Sequence, residues 1–202
     1  MRRTLSGAVL ALSATATLVV GCSSGTPGQA QPAPTGRTAT ITDTQSSPPS
    51  SKAPMVTHPL DATKMVANPC SALSPTDLAG LHITNPINKA NSNATASDCG
   101  WTGDSGGTIG IGWVTANSGG LSDLYAKAST IVYWQPTTVD GYPAAFGDAI
   151  SDGRAQGDCV LNVGVNDHLY FGAQYDNPDN VSQACALAQQ AATDVVKNLG
   201  GS

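Results

Sequence analysis

Hydrophobic residues fall into three regimes along this chain. From Leu5 to Val20 they predominate, interrupted by Ser6, Gly7, Ser13, Thr15 and Thr17; from Ser23 to about residue 67 they are sparse among Ser, Thr, Pro and Gln; beyond residue 68 they recur in short periodic blocks. In the third regime Ile109, Ile111 and Trp113 alternate with small residues, the two-residue period of a strand with one buried face. Residues 108–115 therefore predict a strand, and residues 99–101, 131–134, 159–165 and 168–175 read the same way. Asp104-Ser105-Gly106-Gly107 supplies turn chemistry after the first of these, and Asn166-Asp167 predicts a tight hairpin between the last two.

Helical periodicity appears at three places. Ser74-Pro75-Thr76-Asp77 sets an N-cap, a first-turn proline and an acid in sequence, opening a short helix through Leu81. Residues 121–128 predict a second. The longest spans residues 178–199, where Val181, Ala184, Cys185, Ala188, Ala192, Val195 and Leu199 recur at three- and four-residue steps, with Gly200 as the stop. A stripe of that kind must cover a sheet. The expected fold is α+β, an antiparallel sheet with helices packed mainly on one face, in a single domain over residues 68–202 with a modest core.

The first two regimes concern address. Met1-Arg2-Arg3 followed by a hydrophobic run of about 16 residues has the layout of a secretory signal, and the run is short for the roughly 20 residues of a spanning helix. It ends in Val19-Val20-Gly21-Cys22, which looks like a lipobox, so residues 1–21 are expected to be removed and Cys22 to carry diacylglycerol. Several acyl chains anchor lastingly, at about 0.8 kcal/mol per buried methylene. Residues 22–67, which hold most of the prolines between Pro27 and Pro69, read as a disordered Ser/Thr/Pro-rich tether. The expected location is the outer face of the cytoplasmic membrane, with the membrane itself a partner through lipidated Cys22.

Charge and cysteines narrow the rest. In residues 68–202 only Lys89, Lys127, Arg154 and Lys197 oppose twelve aspartates, and the chain has no glutamate. Such a domain is not expected to bind nucleic acid or anionic headgroups, which draw on clustered Lys and Arg. With Cys22 lipidated, Cys70, Cys99, Cys159 and Cys185 remain, an even set that outside the cytoplasm predicts two disulfides. Of the three pairings, Cys70–Cys99 with Cys159–Cys185 is favoured, because each joins a helical region to a strand over a loop of similar size. No Cys-x-x-Cys or Cys-x-x-His spacing occurs, so neither metal nor cofactor is expected.

Apparent catalytic motifs lack their companions. Gly103-Asp104-Ser105-Gly106-Gly107 reproduces the pentapeptide around a serine-protease nucleophile, but His58 lies in the tether and His82 lacks the sequence context of a triad base. The histidines have no ligand spacing, and the aspartate pairs Asp148/Asp152 and Asp176/Asp179 read as turn and capping residues. Gly110-x-Gly112 fails the dinucleotide fingerprint at its third glycine. The aromatic residues either fill the sheet's core and edges or line a cleft; on the second reading Trp101, Trp113, Trp134 and Tyr142 are the ligand-binding candidates.

Taken in order, the lipobox and tether, Cys70-Ser71-Ala72-Leu73, Cys99-Gly100-Trp101, Asp140-Gly141-Tyr142-Pro143-Ala144, Cys159 opening a strand and Cys185-Ala186-Leu187-Ala188 resemble actinobacterial lipoproteins catalogued as domain of unknown function 3558. The resemblance implies an α+β domain with paired cysteines and a cell-envelope address. It brings no activity and no catalytic residue. The expected function is a non-catalytic module binding an envelope protein, lipid or glycan; the alternative is a hydrolase or lipid-processing enzyme with a dispersed site.

Overall fold

The structure is a computed structural model and describes residues 51–201. Seven strands form one antiparallel sheet: β1 (Ile87–Ser92), β2 (Ala96–Thr102), β3 (Thr108–Val114), β4 (Tyr133–Val139), β5 (Tyr142–Asp148), β6 (Asp158–Asn166) and β7 (Leu169–Asp176), in the order β1-β2-β3-β7-β6-β5-β4. Two meanders thus meet at β3 and β7, and the connection after β3 crosses to the far edge. That connection carries α3 (Leu121–Tyr125).

One face of the sheet is covered. Cys99 and Trp101 of β2, Ile109, Ile111 and Trp113 of β3, Leu161 and Val163 of β6, and Phe171, Ala173 and Tyr175 of β7 alternate into it and are almost fully buried. The long helix α4 (Ala184–Asn198) lies over β6 and β7, burying Leu187, Ala188, Ala191, Ala192, Val195 and Val196. Nearer β2 the same core takes Met65 of α1 (Thr63–Ala67) and Leu78 of α2 (Pro75–Gly80). In α2 the Ser74 hydroxyl accepts from the Asp77 amide at 3.2 Å while the Asp77 carboxylate accepts from the Ser74 amide at 2.8 Å, a reciprocal capping box. On the opposite face α3 packs, with Leu121 and Tyr125 forming a smaller cluster with Ala145 and Tyr170 against which Ala53 and Trp134 also lie. The α+β architecture is as expected, and the disulfides pair Cys70 with Cys99 and Cys159 with Cys185.

Four differences have physical causes. The folded domain begins before residue 68: Val56, Ala62 and Met65 are buried, the Leu60 amide donates to the Val165 carbonyl at 2.9 Å, and the Tyr142 hydroxyl donates to the His58 carbonyl at 2.9 Å. Residues 53–67, assigned to the tether on proline content, are thus held by a few apolar anchors and main-chain bonds. The expected helix over 178–199 is broken, with 3-10 geometry over Pro178–Gln183 and a non-helical Asn180 at φ −131°. Val181, placed on the apolar stripe, is turned out and 41% exposed.

Strands β1 and β5 were not foreseen. All six residues of β1 are exposed, so it has no apolar period, and β5 is built on Pro143, Ala144, Ala145 and Gly147, residues of little strand preference. The last hairpin turns at Asp167-His168 rather than Asn166-Asp167, one residue late, because a register shift between Gly164 and Asn166 absorbs a position. The Asn166 carboxamide oxygen accepts from the His168 amide at 2.9 Å to close it.

Candidate functional site

Cys22 and the signal segment lie outside the described residues. Of the aromatic candidates, Trp101 and Trp113 are 2% and 0% exposed inside the main core. They cannot line a cleft. Trp113 instead packs on Phe171 with ring centroids 5.0 Å apart. Trp134 sits on the opposite face, edge-on to Tyr125 at 4.9 Å. Tyr142 borders a cavity of about 740 Å³ between residues 57–60, the β4–β5 turn and residues 200–201, but its hydroxyl is already engaged by the His58 carbonyl. These residues do not converge.

The protease-like pentapeptide is the β2–β3 turn. Asp104 accepts from the Thr84 hydroxyl and, at 2.8 Å, from the Asn85 amide, and these hydrogen bonds hold its carboxyl below the usual carboxylate range. His58 lies in the strap entering the domain, His82 follows α2 with φ of 60°, and the ring Nδ1 of His168 pairs with the Ser118 carbonyl at 2.8 Å. Among the described residues no group of three or more His, Cys or Asp side chains is placed to hold a metal ion.

The open face of the sheet presents a different arrangement. Residues between the core positions of β2, β3 and β7 point there, and at its centre they are glycines: Gly100 faces Gly110 across the β2–β3 ladder, and Gly112 faces Gly172 across the β3–β7 ladder. The floor they make lies in a trough of about 290 Å³ edged by Asp98, Val160 and Gln174. Glycine within a strand costs entropy and packs nothing, so each needs a reason: a special backbone angle, a bulge, or a close neighbour.

Other glycines of this fold have such reasons. Gly157 has φ of +89°, and a Cβ there would collide with the Asn177 carbonyl oxygen. On the open face itself, a Cβ on Gly147 would come within 2.9 Å of the Trp134 ring, and one on Gly164 within 3.1 Å of Leu121. Both are covered closely by the chain's own side chains. By contrast a Cβ at Gly100 or Gly110 would meet nothing within 4 Å, at Gly112 only the Asp98 Cβ at 3.7 Å, and at Gly172 only Asn162 Oδ1 at 3.5 Å. All four lie in regular ladder without positive φ. Neither backbone strain nor crowding by the described residues accounts for them.

Asn162 belongs to the same surface, opposite Gly172 in the β6–β7 ladder and opposite Ala145 in β5. Among the described residues it is one of two buried polar ones, at 9% exposure. Its Nδ2 donates to the Gly147 carbonyl at 3.0 Å, which fixes the carboxamide and turns Oδ1 over Gly172. Asn162 is not among the buried side-chain groups left without a partner; among the described residues those are Trp113 Nε1, Trp134 Nε1 and the Tyr175 hydroxyl.

Around the trough the remaining polar groups are anchored. Asp98 accepts from Asn91 at 3.1 Å, and Asp158 accepts from the Gln174 amide at 2.8 Å. Burial, together with neighbouring Asp176 and Asp148, pushes the Asp158 carboxyl up against the opposing pull of Gln174. Sequence reasoning noted Gly110-x-Gly112 only as a failed nucleotide fingerprint. The readable signal was the two-residue period itself, which sets both glycines on the face opposite Ile109 and Ile111.

Residues 17–198 match one protein-family model, described as Protein of unknown function (DUF3558). No curated protein and no solved structure matches the chain.

Proposed function

We propose, for a chain that belongs to the DUF3558 family, a lipid-anchored, non-catalytic module that binds a ligand outside the cytoplasmic membrane on the open face of its sheet. The address rests on the signal layout and on Cys22 in its lipobox setting. The binding role rests on one observation: four adjacent strand glycines, Gly100, Gly110, Gly112 and Gly172, that have no positive φ and that no described residue crowds. Where the chain itself approaches this face, at Gly147 and Gly164, it also uses glycine. The uncovered four serve the same purpose for a molecule that is not part of the chain.

Gly110→Val provides the test, because a β-branched side chain suits a strand and its Cβ would stand in the trough with nothing within 4 Å. Native mass spectrometry of the full chain, released from envelopes with co-extracted small molecules, should show a bound mass on wild type that Gly110→Val loses. Retention of the same mass by both proteins would overturn this site. For the anchor, Cys22→Ala should abolish fatty-acid labelling and membrane fractionation; an unchanged label would refute lipidation.

A further inference from the structure

We infer that residues 53–59 form a strap that swings on Leu60 to open and close the cavity beside the β4–β5 turn, with the Tyr142 hydroxyl on the His58 carbonyl as its latch. The cavity, about 740 Å³, has the size of a small-molecule site, and its two walls are held differently. One wall is fixed. Asp140 and Gly141, at φ of 46° and 84°, make the tight turn that joins β4 to β5. Gly200 and Gly201 close α4, their amides donating to the Lys197 and Val196 carbonyls at 2.8 and 2.9 Å.

The other wall is Thr57, His58, Pro59 and Leu60, and its last residue is the one tied into the fold. The Leu60 amide donates to the Val165 carbonyl at 2.9 Å, and its own carbonyl accepts from Asn166 Nδ2 at 3.4 Å. Its side chain packs over Gly201, where a Cβ would stand 3.3 Å from Leu60 Cδ1. Those three ties make Leu60 the hinge. Between Ala53 and Pro59 one side chain, Val56, is buried, and the Val56 amide reaches only the exposed Asp167 carboxylate, at 3.4 Å. Pro54 and Pro59 have no amide hydrogen to give, and Pro59 stiffens the strap next to its hinge. The Tyr142–His58 bond, at 2.9 Å, is shorter than the Val56 bond and crosses from the strap to β5. A segment with one buried anchor and sparse main-chain bonds opens locally, well below the cost of unfolding the sheet. Opening withdraws Thr57, His58 and Pro59 from the cavity and uncovers Tyr142, whose side chain is 7% exposed with the latch made.

Access to Tyr142 reads the opening. The full chain in detergent micelles is treated with tetranitromethane, which nitrates phenol rings it can reach, and the tyrosines are followed by peptide mapping. Val56→Ala removes the buried anchor and leaves the latch in place, so Tyr142 should be nitrated about fivefold faster or more. Tyr175, fully buried in the main core, should keep its wild-type rate. An unchanged rate at Tyr142, or a parallel rise at Tyr175, would overturn the strap, the second by showing that access comes only with global unfolding. Tyr142→Phe tests latch and hinge, because it keeps the ring and removes the hydroxyl. In the ¹⁵N-labelled chain, relaxation dispersion at the Val56, Thr57, His58 and Gly141 amides should grow with a single rate constant, while hydrogen exchange of the Leu60 amide stays at its wild-type rate. Dispersion no larger than in wild type would overturn the latch, and a Leu60 amide accelerated with the others would overturn the hinge.

Discussion

Removing the Cys159–Cys185 bridge, as the double substitution Cys159→Ala/Cys185→Ala, is expected to destabilise the domain mainly through its unfolded state. The bridge spans a sequence separation of 26 residues, for which loop-closure entropy gives about 3.5 kcal/mol at 25 °C. In the folded state less changes. Cys159 is fully buried and Cys185 half-buried, but α4 remains docked on β6 and β7 through Leu187, Ala188, Ala191, Ala192, Val195 and Val196. A domain of about 150 residues loses roughly 2–4 °C per kcal/mol, so calorimetry should record a fall of about 7–14 °C. The denaturant m-value should rise, since the released chain exposes more surface when unfolded. Unfolding followed by near- and far-ultraviolet circular dichroism should stay coincident. A loss below about 2 °C would refute the loop-entropy argument. Separate transitions by the two probes would refute it differently, by showing that the bridge, and not the apolar stripe, holds α4 to the sheet.

Gly157 provides the counterpart to Gly110. Gly157→Ala must hold an L-residue at φ of +89° and press its Cβ on the Asn177 carbonyl, so denaturant unfolding should show a loss of at least about 1–3 kcal/mol; a neutral substitution would mean the turn relaxes freely. Asp158 carries a pH signature. Its folded-state pKa is raised by burial and by Asp176 and Asp148, so its ionisation opposes folding, and stability falls as pH rises from the unfolded value through the raised folded one. Asp158→Asn keeps an acceptor for Gln174 and removes that penalty. Its melting temperature should therefore equal or exceed wild type at neutral pH, with the difference vanishing below the unfolded pKa; a variant that is weaker at pH 7 and equal at pH 3 would reverse the sign.

Local physics made much of this fold legible from the chain. The alternation of Ile109, Ile111 and Trp113, the stripe through Ala188, Ala192 and Val195, and the Ser74–Asp77 cap each act within a few residues, and each predicted its element. The cysteine pairing was also readable, because each pair joins a helical region to a strand that the helix must cover. What tertiary structure alone decided lies where a residue's role depends on a partner distant in sequence. Strand β1 has no apolar period and exists because β2 pairs with it; residues 53–67 carry a tether's composition yet are captured by Val165 and Tyr142. Trp101 and Trp113 could have lined a cleft or filled a core, and the helices over their face decided for the core. The glycine floor follows the same rule: period two put Gly110 and Gly112 on one face, but only the β2–β3–β7–β6 registry set Gly100, Gly172 and Asn162 beside them.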